Sequence, residues 1–215
     1  MLTRTFVDSR RLTQQRGLSL IEMLITLTLG LLLMAALTSV FTNTLGVNSR
    51  SLKTTQLQEE TLATMHLISE EVRRAGYSGD FQTQIVDPAN QDTSFRNQLA
   101  VSAHPDEASN SCITFRYDAD QNGTYSGNNE AFGYRLRNQQ VQRRQDAALC
   151  DANGWQGLTS SDVIVVDELT FTLTETVSGS LTEQAVTIYL RAHLKSDADL
   201  SRALTQHVVV RNANF

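Results

Sequence analysis

Residues 17–41 of this 215-residue chain read GLSLIEMLITLTLGLLLMAALTSVF. From residue 18 onward the stretch carries a single charge, Glu22, and it is long enough to cross a bilayer as an α-helix. A carboxylate inside such a helix costs roughly 2.5–3.5 kcal/mol on insertion scales, so it normally has a partner or a function. The stretch therefore predicts a membrane-spanning helix in which Glu22 has a specific role.

The segment before this helix is short and basic. Residues 1–17 contain four arginines and one aspartate. A positive flank of this kind stays in the cytoplasm, so we expect a single-pass topology with the C-terminal part on the other side of the membrane. A cut between Gly17 and Leu18 would free an α-amino group four residues before Glu22. The two charges would pair best between neighbouring helices that are offset along their axes.

The residues Gly17-Leu18-Ser19-Leu20-Ile21-Glu22 resemble the type III signal of type IV prepilins and pseudopilins. The resemblance implies that prepilin peptidase cuts after Gly17, that Leu18 becomes the methylated first residue and that Glu22 acts in assembly. Leu18 replaces the usual Phe, and Ser39 lies where major pilins commonly carry a helix-kinking Pro. An uncleaved N-terminal anchor is the alternative that the residues leave open.

The helix is predicted to continue beyond the membrane as an amphipathic helix. Residues 43–75 contain no Pro and one Gly. Apolar residues that we expect to pack on the C-terminal domain recur at helical spacing: Leu52, Leu62, Met65, Ile68, Val72 and Ala75. The pairs Glu59-Glu60 and Glu70-Glu71 are expected on a solvated face. Gly76 is expected to end the helix in the left-handed conformation.

The end of this helix resembles PilW-type minor pilins. Residues 67–79 read LISEEVRRAGYSG, in which a basic helix end runs into Ala-Gly-Tyr and a further Gly. Asp80 lies where many of those proteins carry Cys. Together with the signal, the resemblance covers the first 80 residues.

The remaining residues predict a β-rich domain. Residues 113–117 and 132–136 alternate as hairpin arms, residues 163–166 and 169–174 form another β region, and residues 186–194 are the clearest half-buried strand. Residues 204–210 add a last strand. The expected fold class is α+β, one long N-terminal helix packed on an antiparallel sheet domain, as in type IV pilins. We expect a removed leader at 1–17, transmembrane and amphipathic helix halves at 18–41 and 42–75, and a periplasmic domain at 76–215.

Two cysteines, Cys112 and Cys150, lie in this later region. The predicted topology puts them in an oxidising compartment, where a lone pair indicates an intramolecular disulfide. Free thiols and a bond to another chain are the alternatives. A metal site on these cysteines is not expected, because no CxxC or paired His accompanies them.

One loop has ligand-type residues at regular spacing. Residues 118–124 read DADQNGT and match the first half of an EF-hand-type calcium loop. The twelfth position is Asn129, and Glu130 comes one residue late. Predicted strand flanks exclude a true EF-hand. Two interpretations stay open: a weak calcium site at Asp118, Asp120 and Asn122, or a polar hairpin turn without any cofactor.

Composition and motifs disfavour several function classes. The chain has net charge −5, so its overall field does not attract nucleic acid. A local basic patch is possible at four arginines that we otherwise expect on the solvent side of strands: Arg135, Arg137, Arg143 and Arg144. The sequence contains no G-x-S-x-G, P-loop or G-x-G-x-x-G motif, and its four histidines lack metal-ligand spacing. We therefore expect a non-enzymatic protein.

The resemblance implies a minor pilin that contributes to assembly or initiation of a type IV pilus, or fimbrium. Its expected partners are prepilin peptidase, other minor pilins, the major pilin, the inner-membrane assembly platform and the membrane, without nucleic acid. Its expected location is the bacterial inner membrane and then the pilus at the cell surface. Two alternatives remain: a minor pseudopilin of a type II secretion system, and an adhesive or DNA-uptake module on a pilin stem.

Overall fold

The computed structural model describes residues 17–80, 83, 86, 87, 89, 92–178 and 181–211. The predicted leader therefore lies outside the described residues, apart from Gly17. The chain divides into two compact units, Met1–Arg50 and Ser51–Phe215. Helix α1, Leu20–Arg73, supplies the secondary structure of the first unit and the first element of the second.

The part of α1 in the second unit buries one face. Buried positions recur at three- and four-residue spacing: Leu57, Thr61, Thr64, Met65, Ile68, Ser69, Glu71 and Val72. The prediction was right for Met65, Ile68 and Val72. It was wrong for Leu52 and Leu62, which are 72% and 49% exposed because the buried face is centred on other positions.

The C-terminal end of α1 has the predicted glycine. Gly76 has a φ of 79°, a left-handed conformation that favours glycine. Its N–H donates a 2.8 Å hydrogen bond to the Arg116 carbonyl, so the end of the helix is tied to the neighbouring strand. The helix itself ends at Arg73, and Ala75 is buried just beyond it.

Five strands form the first antiparallel sheet, in the order β1-β2-β3-β4-β5. They are β1 (Ala100–Ser102), β2 (Cys112–Arg116), β3 (Ala131–Arg137), β4 (Gln140–Arg144) and β5 (Trp155–Gly157). The predicted hairpin is confirmed, with Ile113 opposite Tyr134 and Phe115 opposite Phe132. Strands β4 and β5 lie outside the strands predicted from the sequence, because they have three to five residues and little apolar alternation.

Three long strands form the second antiparallel sheet: β6 (Ile164–Ser178), β7 (Leu181–Leu194) and β8 (Asp197–Val210). The two predicted β segments before residue 175 are a single strand with an irregularity between Val166 and Glu168. In β7 the predicted inward residues Val186, Ile188 and Leu190 are fully or almost fully buried, as alternation requires.

A single hydrophobic core joins the end of α1 to both sheets. It contains Ile68 and Val72 from the helix, Phe115 from the first sheet, and Phe171 and Ile188 from the second. Burial of such side chains is the main stabilising contribution, roughly 1.5–3 kcal/mol each. The predicted α+β class is confirmed, with two sheets where the sequence indicated one.

Cys112 on β2 and Cys150 form a disulfide bond, as predicted. Beside it, Arg135 is 6% exposed, and its Nη1 donates to the carbonyl oxygens of Cys150 and Ala152 at 2.7 and 2.9 Å. The guanidinium also lies 4.7 Å from the centre of the Trp155 ring. The expected solvent position of Arg135 is therefore wrong.

The other arginines of the suggested basic patch also have protein partners. Arg144 donates to the carbonyl oxygens of Ala147 and Ala148, each at 2.7 Å. Nη2 of Arg137 lies 2.8 Å from Oδ2 of Asp106, and Nη2 of Arg143 lies 2.9 Å from Oε1 of Glu71 on α1. Their guanidinium groups satisfy loop carbonyls and acids, so they do not form a free basic surface.

Candidate functional site

The N-terminal site begins just before α1. Gly17, Leu18 and Ser19 precede the helix, which begins at Leu20 and has Glu22 in its first turn. The Ser19 carbonyl accepts the Met23 N–H at 3.1 Å. A carboxylate in the first turn interacts favourably with the positive end of the helix dipole. Glu22 is exposed and is the only charged residue between positions 17 and 49.

The helix around Glu22 exposes its apolar side chains on all faces. Leu20, Met34 and Phe41 are 82%, 67% and 64% exposed, and the most apolar window has a mean hydropathy of 2.3 with none of its residues buried. An apolar surface of this extent is typical of a membrane span or of a helix that other chains cover. The length and composition of the helix are sufficient to cross a membrane.

Threonine side chains in this part of α1 are satisfied by the helix itself. Thr26, Thr28 and Thr38 donate hydroxyl hydrogen bonds of 2.8–2.9 Å to carbonyl oxygens three or four residues earlier. Such internal bonds make a hydroxyl compatible with an apolar environment. Glu22 differs from these polar residues, because a carboxylate in an apolar environment normally has a charged or hydrogen-bonding partner.

A second cluster of polar residues lies in the loop between β2 and β3. The Asp118 carboxylate accepts the N–H groups of Gly79 and Gly123 through Oδ2, at 2.7 and 2.8 Å. The Asp118 N–H in turn donates to the Tyr77 carbonyl at 2.8 Å. The loop is thereby joined to the segment that follows α1.

Two glycines allow this close approach. A Cβ on Gly79 would lie 2.7 Å from the Gln121 carbonyl oxygen, and a Cβ on Gly123 would lie 2.4 Å from the Cβ of Asp80. Gly123 also has a φ of 78°. The second glycine of the Gly-Tyr-Ser-Gly segment, Gly79, is therefore needed because any side chain there would clash with the loop.

The loop brings three carboxylates together. One oxygen each from Asp118, Asp120 and Glu130 lies within 4.8 Å of the other two. Asp118 and Glu130 are each 1% exposed, whereas Asp120 is exposed. A short 3₁₀ turn, Asn128–Glu130, follows Gly127 at φ 89° and places Glu130 in the group.

Sequence reasoning predicted two of these residues and missed the third. Asn122, the predicted third ligand, accepts the Thr124 N–H through Oδ1 at 2.7 Å and donates to Asp120 at 2.8 Å. Glu130 stood one position beyond the calcium-loop pattern. An acidic residue that close to the twelfth position was the available signal for it.

The Asp118 side chain favours its charged form. Burial raises the pKa of Asp118, but the N–H groups of Gly79, Gly123 and, less strongly, Gln121 lower it, and the resulting pKa lies below the usual value for Asp. N–H groups aimed at a carboxylate stabilise the ionised state. The loop therefore contains a buried, ionised carboxylate.

A third polar cluster joins α1 to the first sheet within the second unit. Glu71 is 9% exposed, accepts the Tyr134 hydroxyl at 2.6 Å and bonds Arg143 at 2.9 Å. The expected solvated position of Glu71 is therefore wrong, because its helix position faces β3 and β4. Burial, followed by the Glu71 charge, raises the pKa of Tyr134 well above its usual value.

Comparison with known proteins assigns the chain to a family. The family model described as "Prepilin peptidase-dependent protein B" matches residues 50–210. The chain belongs to this family. A second model, described as a prokaryotic N-terminal methylation motif, matches residues 12–38 and includes Gly17, Leu18 and Glu22. The predicted type IV pilin-like prepilin is thereby confirmed.

A curated relative covers most of the chain. The prepilin peptidase-dependent protein B of Escherichia coli (strain K12) is 23% identical over 189 residues, which are 86% of this chain and 90% of the relative. No solved structure matches the chain. The family comprises pilin-like structural proteins, and the apolar helix with its motif fits a membrane-anchored, single-pass protein.

Proposed function

We propose that this chain is a minor pilin of a type IV pilus, of the PilW kind, which prepilin peptidase cleaves after Gly17 and which enters the fibre through α1. The observation that carries the proposal is Glu22, the only charge from residue 17 to residue 49, in the first turn of an uncovered apolar helix. A covered fibre core is an environment in which such a charge needs a partner.

The mechanism is one of assembly. Cleavage frees the α-amino group of Leu18, which becomes N-methylated. Within one helix this amine lies at the helix end and meets Glu22 poorly, whereas an offset neighbour presents its amine to Glu22. Pairing two opposite charges in an apolar environment avoids the penalty of several kcal/mol for each unpaired ion, so it selects the correct axial offset between subunits.

The predicted partners follow from this mechanism. Prepilin peptidase acts first, the inner-membrane assembly platform receives the mature chain, and other minor pilins and the major pilin contact its apolar helix. The globular part then faces the periplasm and finally the outside of the cell. Ser39 in place of a helix-kinking Pro supports a low-copy priming or tip subunit over a bulk subunit.

The alternative is a minor pseudopilin of a type II secretion system, which uses the same signal and helix. The type IV pilus is favoured by residues 73–79, which resemble PilW-type proteins and which pack on the Asp118 loop. A DNA-uptake module is disfavoured because Arg135 and Arg144 bond carbonyl oxygens inside the domain.

The test compares Glu22→Ala with Thr26→Ala in the native host. Thr26 lies one turn later on the same helix and bonds only its own backbone, so Thr26→Ala is a matched uncharged control. We expect both variants to insert and to be cleaved to a chain that begins at Leu18, as mass spectrometry of the N-terminal peptide would show. Only Glu22→Ala should be absent from sheared pili. Normal incorporation of Glu22→Ala would contradict the mechanism.

A second variant separates processing from folding. A Cβ at Gly17 would meet no atom within 4 Å, so Gly17→Val leaves the described structure undisturbed. We expect Gly17→Val to accumulate as the uncleaved precursor in the membrane and to be missing from the fibre.

Recovery of wild-type protein in secretion pseudopili but not in pili would favour the pseudopilin alternative.

A further inference from the structure

We propose that the loop between β2 and β3 binds a calcium ion through the carboxylates of Asp118, Asp120 and Glu130. The three residues lie within a 13-residue segment, and the turn after Gly127 brings the last of them back to the first two. Nothing in the proposed assembly role of α1 requires this site, so the inference is independent of it.

Charge is the first argument. Three carboxylate oxygens lie within 4.8 Å of one another, and two of the three residues are 1% exposed. Neighbouring like charges repel, and burial strengthens the repulsion. Among the described residues, no Lys or Arg forms an ion pair with any of the three. A bound cation would compensate the charge of the cluster.

An unpartnered oxygen is the second, independent argument. Asp118 Oδ2 accepts two N–H groups, whereas Oδ1 is buried and has no hydrogen-bond partner of normal geometry. Buried polar atoms are nearly always paired, so an exception indicates a missing ligand. Because Gly79 and Gly123 both bond Oδ2 of Asp118, its Oδ1 is the oxygen that remains available to a cation held together with Asp120 and Glu130.

Glu130 retains capacity for a cation. Its Oε1 accepts the Ala119 N–H at 3.1 Å, and its Oε2 accepts the N–H and the hydroxyl of Ser126 at 2.7 and 3.0 Å. An ionised carboxylate offers about four lone-pair positions, so the bonds orient the group without exhausting it. They also fix the loop in the conformation that the cation would use.

Ligand chemistry selects calcium. The cluster contains only oxygen ligands and no His or Cys, which argues against zinc. The remaining positions around the ion would be filled by backbone carbonyl oxygens and by water, since Asp120 is exposed. Calcium accepts six to eight oxygens in irregular geometry, whereas magnesium requires a near-ideal octahedron. Extracellular calcium modules bind with Kd of about 10⁻⁴–10⁻³ M, which suits a partly open loop.

The consequence of binding would be a rigid connection between the β-domain and the end of α1. Asp118 is bonded to Tyr77 and Gly79, the residues that follow the helix. An ion on the other face of the Asp118 carboxylate would hold this loop and the helix end together. Calcium would thus stabilise the part of the domain nearest the helix.

The test uses the full-length protein in detergent micelles, with its disulfide intact and stripped of metal by EGTA. Isothermal titration with CaCl₂ should show one ion per chain at a Kd between about 10⁻⁴ and 10⁻³ M, and MgCl₂ should bind at least about tenfold more weakly. Calcium should also raise the Tm, because it binds the folded state. No heat and no Tm shift up to about 10 mM CaCl₂, or tighter binding of magnesium, would overturn the proposal.

Two variants and a control make the test specific. Asp120→Asn changes an exposed side chain and should fold normally while weakening calcium binding at least about tenfold, because calcium affinity depends on ligand charge. Glu130→Gln should weaken binding similarly. Asp162→Asn removes an acid whose side chain is 93% exposed and lies outside the loop, so it should bind calcium like wild type. Unchanged calcium affinity in both Asp120→Asn and Glu130→Gln would refute the site.

Discussion

The hydroxyl of Tyr134 lies 2.6 Å from Oε2 of Glu71 and donates a hydrogen bond to it, although the residues are 63 positions apart. The bond is buried and joins α1 to β3. Arg143 on β4 bonds the other carboxylate oxygen, so one glutamate connects the helix with two strands of the first sheet. A buried carboxylate with two partners fixes the rotation of the helix on that sheet.

Tyr134→Phe removes one of these partners. We expect it to lower the free energy of unfolding by about 1–3 kcal/mol, because Oε2 of the buried Glu71 is left without its donor. Urea unfolding of the full-length protein in detergent measures the change. Tyr189→Phe is the control, since Tyr189 is half-buried on β7 and the structure gives its hydroxyl no bond among the described residues. Equal losses in both variants would assign the effect to packing and not to the bond.

Local sequence patterns predicted the helix, its glycine end and the most regular strands. These features depend on neighbours along the chain: the apolar run, the spacing of Met65, Ile68 and Val72, and the alternation of residues 186–194. The N-terminal signal is also local, and the match to residues 12–38 confirms its motif. The roles of Gly17, Leu18 and Glu22 stay predictions.

The features that the sequence predicted wrongly depend on partners that are distant in sequence. Glu70 and Glu71 are adjacent and both charged, yet only Glu71 is buried, because Tyr134 and Arg143 come from strands more than 60 residues later. Arg135 is a charged residue on a strand, and from the sequence it is expected on the surface. It is buried because the fold brings the Cys150 carbonyl oxygen within hydrogen-bond distance of its guanidinium group. Single-sequence patterns contain no record of such pairings.

In the loop between β2 and β3, too, one part of the arrangement was predictable from local sequence and another part was not. The spacing of Asp118 and Asp120 is local and was visible in the sequence. The addition of Glu130 depends on Gly127, whose φ is 89°, and on the 3₁₀ turn after it, which bring an acid one residue beyond the twelfth position of the EF-hand pattern close to Asp118 and Asp120. A fixed-spacing pattern cannot represent that turn.

Gly123→Ala tests the packing of this loop against the segment after α1. A Cβ at Gly123 would lie 2.4 Å from the Cβ of Asp80, and the residue has a φ of 78°. Gly127→Ala is a control for a Cβ at positive φ without a clash, because the φ of Gly127 is 89° and a Cβ there meets no atom within 4 Å. We expect Gly127→Ala to lose about 1–3 kcal/mol from backbone strain alone, because its ψ is −120°, and Gly123→Ala to lose at least about 1 kcal/mol more. Thermal unfolding of both variants in EGTA checks this, and equal losses would mean that the loop does not pack on Asp80.

Asp92 predicts an acid-dependent part of the stability. Its Oδ1 accepts the Ser94 N–H at 2.8 Å and its Oδ2 accepts the Tyr125 N–H at 2.9 Å. A hydrogen bond from the Ser94 side chain contributes most, and together with the N–H groups of Tyr125 and Ser94 it holds the pKa of Asp92 below its usual value of 3.8. A carboxyl whose pKa is lower in the folded state stabilises the protein above the unfolded-state pKa. That contribution disappears as the pH falls below 3.8 and through the folded-state pKa.

Asp92→Asn should therefore narrow the difference in stability between neutral and acidic pH. At pH 7 we expect the variant to be about 1 kcal/mol less stable than wild type. The amide oxygen of Asn can accept one of the two N–H groups, but its NH₂ group would then face the other N–H, and two donors cannot bond each other. Around pH 3 the two proteins should approach each other, since the wild-type carboxyl is becoming protonated. Urea unfolding at pH 7, 5 and 3 measures the gap, with the exposed Asp162→Asn as the control. A gap that stays constant from pH 7 to pH 3 would show that Asp92 acts through shape and not through its charge.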